Sequence, residues 1–324
     1  MTFRSHAVPA LLVLAQLALA ACGGPDRSRA TRHPPAAPLP TRAADVSGFR
    51  RPEAAAYDSA ADVFFVSNGG DSVGLGFISR VRPDGAIDSL RFIAGGRGGV
   101  TLRSPRGMTI VGDTLWVADD DAVRGFDARS GAPLAVISLA AEHAHRLDAV
   151  AAGPDGALYV TDAGTREEQG AHVPIPGAAR IFRIAHDHKV SVALASAALA
   201  QPRGIIWDRR GRRFVIVLFD ASTILAWRPA DSAAQVIGYN SRGMDGVGIL
   251  PDGRMVVTSW QDSALTVRAG AGLTLVKGFP APGGIGVDTR RGRVAVPLAG
   301  ENRLEIWTVP SAKPSTRAAN ALRR

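Results

Sequence analysis

A short frame recurs six times along this chain of 324 residues: a Pro, Leu or Met, then a charged residue in five copies of six, then a small residue and an apolar run. The copies start at Pro52-Glu53-Ala54, Pro105-Arg106-Gly107, Leu147-Asp148-Ala149, Pro202-Arg203-Gly204, Met244-Asp245-Gly246 and Pro282-Gly283-Gly284. Intervals between the second positions are 53, 42, 55, 42 and 38 residues, too long for leucine-rich or ankyrin units and within the range of propeller blades. Behind each start come a polar turn, such as Pro154-Asp155-Gly156 or Pro251-Asp252-Gly253, and an apolar run, such as Leu158 to Thr161 or Met255 to Thr258. These are strand and hairpin signals. A third run follows at 77–81, 123–127, 181–184, 223–227, 265–267 and 304–307, and fourth strands are expected near 88–93, 134–139, 190–195, 234–238 and 273–277. The pattern predicts an all-β fold, a six-bladed β-propeller of four-stranded antiparallel blades.

The domain limits follow from composition. Residues 1–21 carry Arg4 and an apolar run from Ala7 to Ala21, too short to span a membrane and suited to the core of a signal peptide. Leu19-Ala20-Ala21-Cys22 resembles a bacterial lipobox, in which Cys22 is the lipidated residue. Residues 22–44, with five prolines after Cys22, read as a disordered Pro/Ala/Arg-rich tether. Residues 45–310 are the expected propeller, and 311–324 a basic, disordered tail. These readings place the protein on the periplasmic face of the outer membrane or on the cell surface. Cys22 is the only cysteine, so the exported domain is expected to fold as a monomer without internal disulfides. The sixth blade has no fourth strand after Trp307, and the segment from Asp45 to Phe49 is expected to complete it and close the ring.

A net charge of +9 would suggest nucleic acid, but its location argues otherwise. Residues 1–45 hold +3 of it and residues 311–324 hold +4, which leaves +2 for the folded part. The basic excess is placed to meet anionic lipid headgroups or cell-wall polymers. No nucleic-acid partner is expected.

Around the ring, the second positions of the frame read Glu53, Arg106, Asp148, Arg203, Asp245 and Gly283, alternating in sign. Two readings fit charges gathered at a channel mouth. One is a self-neutralising girdle of ion pairs. The other is a site in which Glu53, Asp148 and Asp245 hold a hard cation while Arg106 and Arg203, with Asp148, orient an anionic or carbonyl-bearing ligand. Long connections on the same rim, chiefly 162–178 with Arg166, Glu167, Glu168 and His172, add candidates. The His-Glu-x-x-His motif is absent, and Gly95 to Gly99 lacks the Gly-Lys-Ser/Thr ending of a phosphate loop. His143 and His145 could share one face of an extended segment. The five tryptophans suit blade packing, with Trp260 at a rim-side strand end.

The runs Leu147-Asp148-Ala149-Val150, Leu158-Tyr159-Val160-Thr161-Asp162, Pro202-Arg203-Gly204 and Met244-Asp245-Gly246-Val247, with the Pro52-Glu53 start, resemble those of the senescence marker protein, gluconolactonase and strictosidine-synthase-like propellers. Proteins with NHL repeats are near neighbours of that group. The resemblance covers roughly residues 50–309 and implies one divalent cation, calcium or similar, in the channel. It implies Glu53, Asp245 and Asp148 as metal ligands and Asp148 or Asp245 as the base of a lactone or ester hydrolase. Arg203 departs from the pattern, because the family has an amide ligand there. A +1 charge about 4 Å from a +2 ion is repelled by roughly 8 kcal/mol at an effective dielectric of about 20. Either Arg203 swings away or the metal is absent. The expectation is therefore a small anionic or sugar-like ligand, or a protein partner, bound without catalysis, with metal-dependent lactone hydrolysis as the alternative.

Overall fold

Strand alternation decides which side chains reach the centre of the ring. In the innermost strand of each blade, every second residue points into the channel, so the charged position of the frame is followed two residues on by Ala55, Met108, Val150, Ile205, Val247 and Ile285. The structure is a computed structural model that describes residues 38–312 apart from 71–73, 170 and 270–271. The expected signal peptide, Cys22, most of the tether and most of the basic tail lie outside these residues.

Six four-stranded antiparallel sheets stand around one channel. Their innermost strands are Pro52–Asp58, Pro105–Val111, Leu147–Ala152, Pro202–Asp208, Met244–Ile249 and Gly286–Asp288, numbered here as blades 1 to 6. Six apolar clusters hold the ring, one at each seam between adjacent blades. At the seam of blades 3 and 4, Tyr159 lies 4.5 Å from Phe214, which stacks on Trp227 at 5.8 Å. Trp227 is thus blade packing, as its strand position suggested.

The sixth blade is completed from the other end of the chain. Thr41–Ser47 pairs antiparallel with Arg303–Thr308, from Thr41 opposite Thr308 to Ser47 opposite Arg303. The strand begins four residues before the expected segment, so residues 41–44 belong to the propeller and not to the tether. Phe49 lies outside this strand, buried against Leu304, Ile306 and Phe64 at the seam of blades 6 and 1. The difference is physical: Ala44 and Val46 give only a weak alternating signal, and their pairing partner lies far away in sequence. A second correction concerns the connection 162–178. It contains a hairpin, Thr165–Glu168 paired with Ala171–Pro174, standing beside the blades as a two-stranded sheet of its own.

Register breaks where the charged residues sit. The ladder between first and second strands shifts at Pro52/Ala54, Pro105/Met108, Leu147/Val150, Pro202/Gly204 and Met244/Val247. Such an irregularity re-aims a side chain and frees a backbone N–H. In blades 1, 3 and 5 a hydroxyl on the second strand accepts that N–H: Ser67 from Ala54, Thr161 from Ala149 and Thr258 from Gly246. Thr161 and Thr258 then donate to the next blade, to the carbonyls of Arg203 and Gly283 at 3.3 and 3.0 Å.

The small residue after each charge is demanded by the neighbouring blade. A Cβ on Gly204 would lie 2.5 Å from the Asp245 carbonyl oxygen, and one on Gly246 2.7 Å from that of Gly283. At the closing seam, the Gly284 N–H donates to Glu53 O and the Ala55 N–H to Gly284 O, both at 2.9 Å.

Candidate functional site

Glu53, Arg106, Asp148, Arg203 and Asp245 all line one end of the channel, around a cavity of about 70 Å³ that opens to solvent. Gly283 stands in the sixth place and adds no charge. Arg203 is the centre of the arrangement. Its Nη1 is 2.8 Å from Asp245 Oδ2 and its Nε is 3.8 Å from Asp148 Oδ2, with only 7% of the side chain exposed. The guanidinium carbon lies 3.7 Å from the centre of the Phe219 ring and 5.5 Å from that of Trp260. Phe219 and Trp260 meet edge to face at 5.3 Å, and the indole N–H donates to Pro282 O. Stacking of this kind contributes about 2 kcal/mol when the cation is desolvated. The guanidinium is therefore turned toward the carboxylates and held there, and the first alternative drawn from the sequence, that it swings away, does not describe this ring.

The sequence reading missed a third arginine. Arg146 Nε donates to Asp148 Oδ2 at 3.0 Å, and its Nη1 meets His172 on the blade 3 hairpin. The Asp162 carboxylate accepts the N–H groups of His145 and Arg146 and fixes that approach to the strand. Spacing could have revealed Arg146, because residues two apart in an extended segment share a side. Phe219 and Trp260 could also have been found. Each directly follows the last residue of a second strand, and Asp120 holds the same place in blade 2. These positions form an outer ring around the mouth.

Burial and charge set the protonation of the ring. Burial acts against ionised Asp148, but Arg146, Arg203 and Arg106 together hold its carboxyl below the usual range. Asp245 has Arg203 as its cation; burial outweighs that attraction and Asp148 adds repulsion, so its pKa is pushed up to about 6. Burial, then the nearby Arg146, lower that of Arg106. Glu53 stays at the edge, with Arg51 at 4.0 Å. Among the described residues, no cluster of three or more His, Cys, Asp or Glu is arranged to hold a metal ion. Asp148 and Asp245, two of the three ligands that the resemblance implied, both face Arg203, so as arranged the set does not fit a divalent cation.

The X-ray structure of a protein assigned as a gluconolactonase superimposes with a TM-score of 0.59 at 14% identity. The match covers 85% of this chain and 93% of that one. The likeness is one of fold. No family model matches the chain. No curated protein matches it either.

Proposed function

We propose that the charged end of the channel binds a small anionic or sugar-like molecule and does not hydrolyse it. Arg106 carries this reading. Its guanidinium lines the channel, donates to one protein acceptor, the Leu147 carbonyl at 3.2 Å, and has no carboxylate within ion-pair distance among the described residues. A desolvated guanidinium without a counter-ion is suited to take a ligand carboxylate through two parallel hydrogen bonds. Arg203, already committed to Asp245 and Phe219, supports the wall rather than the ligand.

The second reading is a divalent-metal-dependent lactone hydrolase, supported by three carboxylates on one ring and by the gluconolactonase-like fold. It would need the cation to displace Arg203 from Asp148 and Asp245. Calorimetric titration with gluconate, with lactone hydrolysis assayed in calcium, manganese and zinc, separates the two. We expect gluconate to bind the wild type at least tenfold more tightly than Arg106→Gln, with no hydrolysis. Equal affinities would remove the anion-site reading, and metal-stimulated turnover of glucono-1,5-lactone by the wild type would establish the second.

We also propose that the chain is exported and anchored through Cys22, on the strength of the Leu-Ala-Ala-Cys site behind a short apolar core. In a Gram-negative host, Cys22→Ser should move the protein to the soluble fraction. Retention of that variant in the membrane, with no diacyl group on the wild type, would refute the anchor.

A further inference from the structure

Beside the channel mouth, between blade 2 and the blade 3 hairpin, lies a second pocket of about 210 Å³, open to solvent, that shares Arg106 with the channel. Asp120, Arg146, Thr165, Glu167 and His172 stand in its wall. Three groups here are left without a partner of opposite kind. Arg106 bonds only to a backbone carbonyl. Asp120, in the outer ring at the end of the second strand of blade 2, has no hydrogen bond or ion pair to its carboxylate among the described residues, and Arg106 and Arg103 act on it only through space. Burial, then the neighbouring Asp119, raise its pKa, the mark of a carboxylate that would gain from a close cation. Thr165, only 2% exposed, keeps a hydroxyl that finds no hydrogen-bond partner. A buried hydroxyl left so costs about 1–3 kcal/mol.

Nearby side chains are already engaged. Arg146 is bound to Asp148 and His172, and Arg166 to Glu168. The carboxylates of Asp121 and Glu167, also in the wall, have no partner among the described residues but are exposed to water, so the unsatisfied groups shielded from solvent are one cation, one anion and one hydroxyl around a single pocket. A simple anion would satisfy Arg106 and meet repulsion from Asp120, whereas a simple cation would do the reverse.

We propose that the ligand is a zwitterion of the α-amino-acid type, its carboxylate on Arg106 and its ammonium on Asp120, held under the blade 3 hairpin beside Thr165. This rests on the reading of Arg106 as an anion site and names the class of ligand for it. The remaining substituent of the ligand points toward the channel, where Ala55, Met108 and Val150 line the wall below the charged ring.

The test is a thermal-shift screen of the full-length protein against the twenty standard L-amino acids, with calorimetry on the best of them. Its N-acetyl derivative, which lacks the ammonium, and its amide, which lacks the carboxylate, should each bind at least tenfold more weakly. Asp120→Asn should remove the preference for the free amine, so that the amino acid and its N-acetyl derivative bind alike. No internal hydrogen bond is lost in that variant, so its melting temperature should stay at the wild-type value, and Thr165→Val should weaken binding several-fold. If no amino acid binds while gluconate does, the zwitterion proposal fails and the anion site stands. If an amino acid binds wild type and Arg106→Gln alike, or if neither class of probe binds, both fail. An unchanged preference for the free amine in Asp120→Asn would overturn the assignment of the ammonium to that residue.

Discussion

Asp148 and Asp245 share the guanidinium of Arg203, and they share it unequally. Asp148 has Arg146 as a second partner at 3.0 Å, while Asp245 depends on Arg203. The consequence is a pH dependence of known sign. With a folded pKa of about 6 against roughly 3.9 for an unfolded aspartate, Asp245 keeps its proton in the folded state after the unfolded chain has released it. Stability from this residue therefore falls as pH rises from about 4 to about 6 and is level above that, a change on the order of 3 kcal/mol. Asp245→Asn removes the titration. Its stability relative to wild type, followed by urea unfolding at half-unit steps of pH, should rise across that window and then run parallel. Parallel curves throughout would show that Asp245 ionises normally. This unequal sharing was not legible in the sequence. The frame displayed Asp148, Arg203 and Asp245 because they repeat at one offset, but Arg146 lies just before its strand and Phe219 and Trp260 just after theirs. What Arg146 does depends on His172 in the blade 3 hairpin, and Phe219 and Trp260 meet each other across a blade seam, which no local pattern records.

At the scale of elements, the repeat was legible because each strand carries its own signal. Fourth strands expected at 134–139 and 190–195 were found at Pro133–Ser138 and Val190–Ala195. The two misplaced elements are those with little alternating signal of their own. Thr41–Ser47 borrows its order from blade 6, and the hairpin Thr165–Pro174 has mostly exposed residues, so alternation could not mark it. The closing strand yields a direct test. Removal of residues 1–40 leaves it whole, whereas removal of 1–51 deletes it together with the buried Phe49 and opens the edge of Arg303–Thr308. The shorter deletion should melt with the wild type. The longer one should melt about 10 °C lower, taking a loss of several kcal/mol and about 2–4 °C per kcal/mol. Calorimetry that gave equal melting temperatures would show that blade 6 does not need this strand.

For the whole molecule, strand direction settles which strand ends lie at the charged mouth. Inner strands start at the charged mouth, so an outermost strand ends there. Ser47 is therefore at the mouth and Thr41, opposite Thr308, is at the far face. The closing strand also bears on synthesis. Arg42 bonds Glu305 across 263 residues of sequence, so the first strand to be made waits for nearly the last. A chain that stops short of Arg303 leaves Thr41–Ser47 unclaimed and its ring open, with bare strand edges for a protease or another chain to take. Closure thus acts as a completeness check, passed only by a polypeptide that was finished.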